Sequence, residues 1–146
     1  MDNVGIYAGS FNPFHVGHLD ILTKATKMFD RVILFHYTFA DGRTVNKRDI
    51  NLSVIYDRGD KSQLLPSIIN EYEDINDYKL TIVRGVRNGY DLDYEFALNR
   101  TYNEIAGREI PFVLIPASPE LSHVSSTMIR SLVTSGNKKE AERYIV

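Results

Sequence analysis

Apolar positions in this chain fall into two kinds of run that alternate along its length. Residues 4–8 (VGIYA), 31–37 (RVILFHY), 80–83 (LTIV) and 112–115 (FVLI) are short and rich in apolar residues, as expected of strands buried on both faces of a sheet. Between them the apolar residues recur at helical spacing. Leu22, Ala25 and Phe29 mark a helix within residues 19–29, and Leu64, Leu65, Ile68 and Ile69 mark one within 61–72, with Pro66 near its first turn where a proline is tolerated. Leu92 with Phe96, and Leu98 with Tyr102 and Ile105, predict a helix over 91–105. Ser125, Ser126 and Thr127 precede Met128, Ile129, Leu132 and Val133, the pattern of a capped amphipathic helix. A short terminal helix is expected from Asn137 onward.

Two stretches are weaker. Residues 38–49 are polar and loop-like, and 52–56 read as a third strand ended by Asp57, Gly59 and Asp60. The fourteen residues between Tyr37 and Leu52 contain no amphipathic helix, so either this crossover is abbreviated or the third strand is not parallel. Residues 71–77 are acidic and predict a solvated turn.

Strand and helix alternate, which predicts an α/β fold with a Rossmann-like, doubly wound parallel sheet and a single domain over residues 1–146. In such sheets ligands bind at the carboxyl ends of strands, near the point where strand order reverses. Three polar stretches sit at such ends: residues 9–18, residues 84–87 and the segment around Ser125. A net charge of −2 with no basic stripe argues against nucleic-acid binding. The absence of cysteine excludes disulfides and thiol catalysis and fits a reducing compartment. No run approaches the length of a membrane span, so a soluble, cytoplasmic protein is expected.

Residues 9–18 (GSFNPFHVGH) form a strand-to-helix turn. Gly9 is expected to take dihedrals closed to other residues, and Gly17 to let the chain pass close to something. His18 falls in the first helical turn, where unpaired backbone N–H groups and the positive end of the helix dipole favour a phosphate. Neither common phosphate loop occurs elsewhere in the chain. These residues resemble the G-[ST]-F-[DN]-P-x-[HT]-x-G-H signature of the nucleotidylyltransferase superfamily at every position. The resemblance implies transfer of a nucleoside monophosphate onto a phosphate acceptor.

Arg84 and Arg87 flank a glycine directly after a buried strand. Two guanidiniums so close repel each other unless anions lie nearby, and those anions are either bound phosphates or the neighbouring Asp91, Asp93 and Glu95. Ser125, Ser126 and Thr127 offer hydroxyls and helix amides to a phosphate, with Arg130 one turn on, or serve simply as a cap. Residues 83–87, 93–95, 112–116 and 122–127 are similar to the phosphopantetheine adenylyltransferase family. That resemblance implies ATP as substrate with Mg2+, a small phosphorylated acceptor, and a homo-oligomer, hexameric in the family. It implies catalytic roles for His18 and Ser10, and ATP contacts from Ser10, Phe11, His15, His18, Arg87, Glu95, Val124, Ser125, Ser126 and Thr127. It implies acceptor-phosphate contacts from Ser10 and Arg84. The family's phosphate-binding lysine falls on Gly42, leaving Arg43 as its substitute, and no metal ligands are assigned. The helix that links the second and third strands in the family has no counterpart in the pattern. A family asparagine that contacts pantetheine falls on Tyr102, and a glutamate of the last helix becomes Ser131. These departures touch the acceptor more than ATP. His15 and the S-S-T-x-I-R form of Ser125 to Arg130 also resemble nicotinamide mononucleotide adenylyltransferase, which is the first alternative; cytidylyltransferases fit less well, and a non-catalytic nucleotide-binding module remains a different class.

Overall fold

A computed structural model of the chain describes residues 2–38, 53–60 and 62–146. Its strands are β1 (Asp2–Gly9), β2 (Arg31–Thr38), β3 (Val54–Asp60), β4 (Tyr78–Val86) and β5 (Phe112–Pro116). The helices are α1 (Val16–Thr26), α2 (Leu65–Ile75), α3 (Gly89–Ala106), α4 (Ser126–Thr134) and α5 (Lys138–Glu142). The strands form one five-stranded sheet in the order β3-β2-β1-β4-β5, every pair parallel. Strand order therefore reverses between β1 and β4, and the crevice at their carboxyl ends is the natural ligand position.

Side-chain alternation sorts the two faces. Val4, Ile6 and Ala8 of β1, Ile33 and Phe35 of β2, and Leu80 and Ile82 of β4 pack with Leu65, Ile68 and Ile69 of α2, while Tyr102 of α3 lies against the same cluster. Tyr7, Leu34 and Val83 face the other way, onto Ile21, Leu22 and Ala25 of α1. Gly85 makes this second contact close: a Cβ there would stand 2.7 Å from Ile21 Cγ1. Each fully buried Ile or Leu contributes about 1.5–3 kcal/mol, so these two layers dominate the fold's stability.

The structure moves several expected boundaries. β3 is parallel to β2, which decides between the two alternatives, and it runs through Asp57, Gly59 and Asp60 instead of ending at them. As an edge strand it is mostly open to solvent, so charged side chains are compatible with it. α2 continues to Ile75, through part of the expected acidic turn. Glu73 is engaged there, accepting from Leu80 N–H at 3.2 Å and from Arg108 at 2.5 Å, and Tyr72 donates to Asp57 of β3. β4 extends through Arg84, Gly85 and Val86, because Arg84 has strand-compatible partners described below. The expected loop over 38–49 and the missing family helix lie almost wholly outside the described residues.

Candidate active site

Residues 10–15 carry the chain from β1 into α1. Phe11 takes the left-handed region at φ 43°, which costs a non-glycine residue about 1–2 kcal/mol. Its ring is buried against Tyr7, Phe14 and His18 at centroid distances of 5.3, 5.3 and 5.0 Å, and these contacts offset the strain. Gly9, expected to be the residue with unusual dihedrals, has no positive φ. It provides space, since a Cβ there would lie 3.1 Å from the Phe11 ring.

His15 is the N-cap of α1, and with His18 it forms a capping box. His15 Nδ1 accepts from Gly17 N–H at 3.0 Å and His18 N–H at 3.3 Å, while His18 Nδ1 accepts from His15 N–H at 3.1 Å. Both Nδ1 atoms are acceptors, so in both rings the proton resides on Nε2. The rings stack at 3.7 Å. Gly17 is required here, because a Cβ would stand 2.8 Å from His15 Cε1. Burial and then Arg87 lower the His15 pKa to about 4. Burial, His15, Arg84 and Arg87 hold His18 well below its ordinary value. At neutral pH both are neutral Nε2–H donors.

One expectation is thereby corrected. The first amides of α1 are not unpaired: Gly17 and His18 give theirs to His15, and Val16 donates to Tyr144 C=O at 2.8 Å. A phosphate beside α1 meets imidazole N–H groups in place of backbone amides. The open amides belong to α4. Ser125 caps that helix by accepting from Met128 N–H at 3.1 Å, and the N–H groups of Ser126 and Thr127 have no partner among the described residues. Arg130 does not sit free beside them; it donates to Asn12 C=O at 2.7 Å and to Thr127 Oγ1 at 3.3 Å, latching α4 to the histidine loop.

Arg84 and Arg87 each hold an acidic partner. Arg84 donates through Nε to Glu95 at 2.9 Å and through a terminal nitrogen to Ala8 C=O at 3.1 Å. Burial would lower the Arg84 pKa, but Glu95 outweighs it and keeps the guanidinium charged. Arg87 donates through Nε to Asp91 at 3.1 Å and through a terminal nitrogen to Val124 C=O at 3.4 Å. Glu95 thus contacts Arg84 directly. Each arginine retains terminal N–H groups for an anion.

A cleft of about 390 Å³ lies at the carboxyl ends of β1 and β4. Every site residue expected from the sequence lines it except Arg43, which lies outside the described residues. Three contributors were not anticipated. His36, 1% exposed on β2, donates from Nε2 to Ser10 C=O at 2.9 Å and contacts Tyr56 Oη at 2.8 Å, fixing the loop's first residue. Asp20 of α1 accepts from Ser118 N–H at 2.9 Å, Ser118 Oγ at 2.8 Å and Lys24 at 3.1 Å. Burial works to raise the Asp20 pKa, but those donors together hold it below the usual carboxylate value. This clasp ties α1 to the segment leading to α4. Tyr7 forms part of the cleft wall. The available signals were a lone histidine in an apolar strand and an Asp–Lys pair at i, i+4.

Residues 6–132 match the cytidylyltransferase-like family. The chain belongs to that family. This nucleotidyltransferase is 30% identical to phosphopantetheine adenylyltransferase of Streptococcus gordonii over 144 residues, covering 90% of this chain and 83% of the relative. It is 30% identical to the enzyme of the same name from Nitrobacter winogradskyi, covering 93% and 87%. Among solved structures it resembles a putative nicotinate-nucleotide adenylyltransferase from Vibrio parahaemolyticus, with a TM-score of 0.64 at 21% identity, covering 100% of this chain and 94% of the other. The nicotinic acid mononucleotide adenylyltransferase of Plasmodium falciparum superposes with a TM-score of 0.66 at 15% identity, covering 99% and 90%. These two likenesses show the fold. Among the described residues no helix is long and apolar enough to cross a membrane.

Proposed function

We propose that this nucleotidyltransferase moves AMP from ATP onto the phosphate of 4′-phosphopantetheine, giving dephospho-CoA and pyrophosphate. The observation that carries the reading is one cleft lined by two neutral histidines, two acid-paired arginines and the open amides of a helix N-terminus. Its donors suit a polyphosphate and a second phosphate together, and the phosphopantetheine adenylyltransferase relatives support the choice of acceptor.

The acceptor phosphate is already an anion, so in-line attack on the α-phosphorus needs no strong base. Positioning and charge stabilisation supply the rate. His18 donates Nε2–H to the α-phosphate, beside the Ser10 hydroxyl. Arg87 and the Ser126 and Thr127 amides receive the leaving pyrophosphate. Arg84, held by Glu95, orients the acceptor, and Arg43 is proposed to add to it. Among the described residues no cluster of three His, Asp or Glu exists to cage a divalent ion. Magnesium carried on the ATP phosphates, whose own oxygens suit it, would neutralise the leaving pyrophosphate. A cytoplasmic homo-oligomer, hexameric as the resemblance implies, belongs to the same proposal.

A second reading, nicotinamide mononucleotide as acceptor, rests on the resemblance carried by His15 and Ser125 to Arg130, and Tyr102 weakens the first reading's contact with pantetheine. This half-buried ring stands beside Arg84, Glu95 and Phe112, where the resemblance expects an asparagine contacting pantetheine. Incubation with ATP, magnesium and each acceptor in turn, with the product identified by mass, separates the two. Dephospho-CoA supports the first reading. NAD alone replaces it with the second, and neither product from protein that binds ATP sinks both.

A further inference from the structure

Tyr7 belongs to neither the signature nor the expected site. It lies on β1 and is 6% exposed, its ring edge-on to Phe11 at 5.3 Å and 6.4 Å from the His18 ring. It nevertheless lines the cleft, and its hydroxyl has no hydrogen-bond partner among the described residues. Three other phenols are paired: Tyr56 with His36, Tyr72 with Asp57, and Tyr78 with Arg31. The hydroxyls of Tyr37, Tyr90, Tyr94, Tyr102 and Tyr144 also have no partner among the described residues, but these side chains are half-buried or exposed, so water reaches them. An orphaned hydroxyl on a side chain this buried is costly, and native structures rarely keep one without a use. Phenylalanine would pack the same ring and leave no orphan.

We propose that the Tyr7 hydroxyl is a further donor of this site, closing onto an anionic phosphate oxygen of the bound substrate between His18 and Arg84. Such an oxygen accepts from the phenol and satisfies a group the free protein leaves open. The bond is charge-assisted, which makes it stronger than a neutral pair. The donor state is secure, because burial pushes the Tyr7 phenol far above its ordinary value, against the opposing influence of Arg84. Glu95 and Asp20 push the same way as burial. Which phosphate Tyr7 meets rests on the transfer reaction proposed above; that it meets one does not.

Tyr7→Phe removes only the oxygen. The Tm of the variant is expected to equal or exceed that of the parent, since an unsatisfied polar group is gone. Its kcat/KM for pyrophosphate release from ATP with 4′-phosphopantetheine should fall about 10- to 100-fold, the range for a lost hydrogen bond to a charged group. ATP affinity, measured by calorimetry on the same two proteins, keeps the inference testable apart from the acceptor. If the parent turns over neither acceptor, a Kd for ATP weakened about tenfold in Tyr7→Phe still supports the inference, while the reaction proposed above fails. A lower Tm with transfer and ATP affinity unchanged would mean that the hydroxyl is satisfied in the free protein, by an ordered water, and would overturn it.

Discussion

Acid should weaken this protein through the histidine cap, and the size of the effect follows from the geometry. Burial, and then the nearby Arg87 guanidinium, lower the His15 pKa from 6.5 to about 4, and a ring whose Nδ1 accepts two amide protons has no room there for a proton of its own. In the unfolded chain the same ring takes up a proton below 6.5. Between those two values the unfolded state binds more protons, so stability is complete above the upper one and is lost as pH falls toward the lower. A shift of that size corresponds to about 3 kcal/mol or slightly more, a large part of a small domain's net stability. His18 acts in the same direction, because its pKa is also depressed. Chemical denaturation of the parent and of His15→Asn across this range is the assay. Asparagine also caps helices but does not titrate, and the carboxylates common to both proteins cancel in the comparison. At neutral pH the variant should be the less stable, having lost the buried ring, and the gap should narrow by about 3 kcal/mol on acidification. Parallel stability curves for the two proteins would refute the reasoning.

Three further substitutions test the rest of the site. Gly17→Ala drives a methyl into the His15 ring at 2.8 Å; it should cost about 1–3 kcal/mol and lower kcat/KM for pyrophosphate release, and normal kinetics would mean the cap is dispensable. Asp20→Asn loosens the clasp to Ser118 and Lys24, so the KM for ATP should rise several-fold for about 1–2 kcal/mol of Tm-measured stability; an unchanged KM removes Asp20 from positioning. Arg84→Lys forfeits the planar fork shared between Glu95 and the Ala8 carbonyl. Steady-state kinetics should show the acceptor KM rising at least about tenfold with the ATP KM little changed, and equal effects on both would contradict the assignment of Arg84 to the acceptor.

The continuous apolar runs around Ile6 and Ile33 announced the central strands because burial on both faces leaves no polar position to confuse the reading. The edge strand β3 was harder. Its Asp57 and Arg58 are exposed, so polarity there marks solvent and not a turn. The sequence pattern places Arg84 beyond β4 because a charged residue normally ends a buried strand, yet Glu95, eleven residues away, neutralises it in place. The gathering of residues 9–18, 84–87 and 124–127 at one crevice followed from the alternation of elements, since a doubly wound sheet brings strand ends together. What the spacing could not reveal was which donors are free. The His15–His18 cap closes the α1 amides through side chains that rarely serve as caps, and Ser118 meets Asp20 across 98 residues of sequence. Local pattern carries no information on such a pairing.

The most direct test is pyrophosphate release from ATP and magnesium by the parent protein and by His18→Ala, each with and without 4′-phosphopantetheine. Release should require the acceptor and fall roughly 10²–10³-fold in the variant, the usual cost of deleting one donor to a developing phosphate charge. Release that ignores the acceptor, or that proceeds at the parent rate in folded His18→Ala, would contradict adenylyl transfer at this cleft.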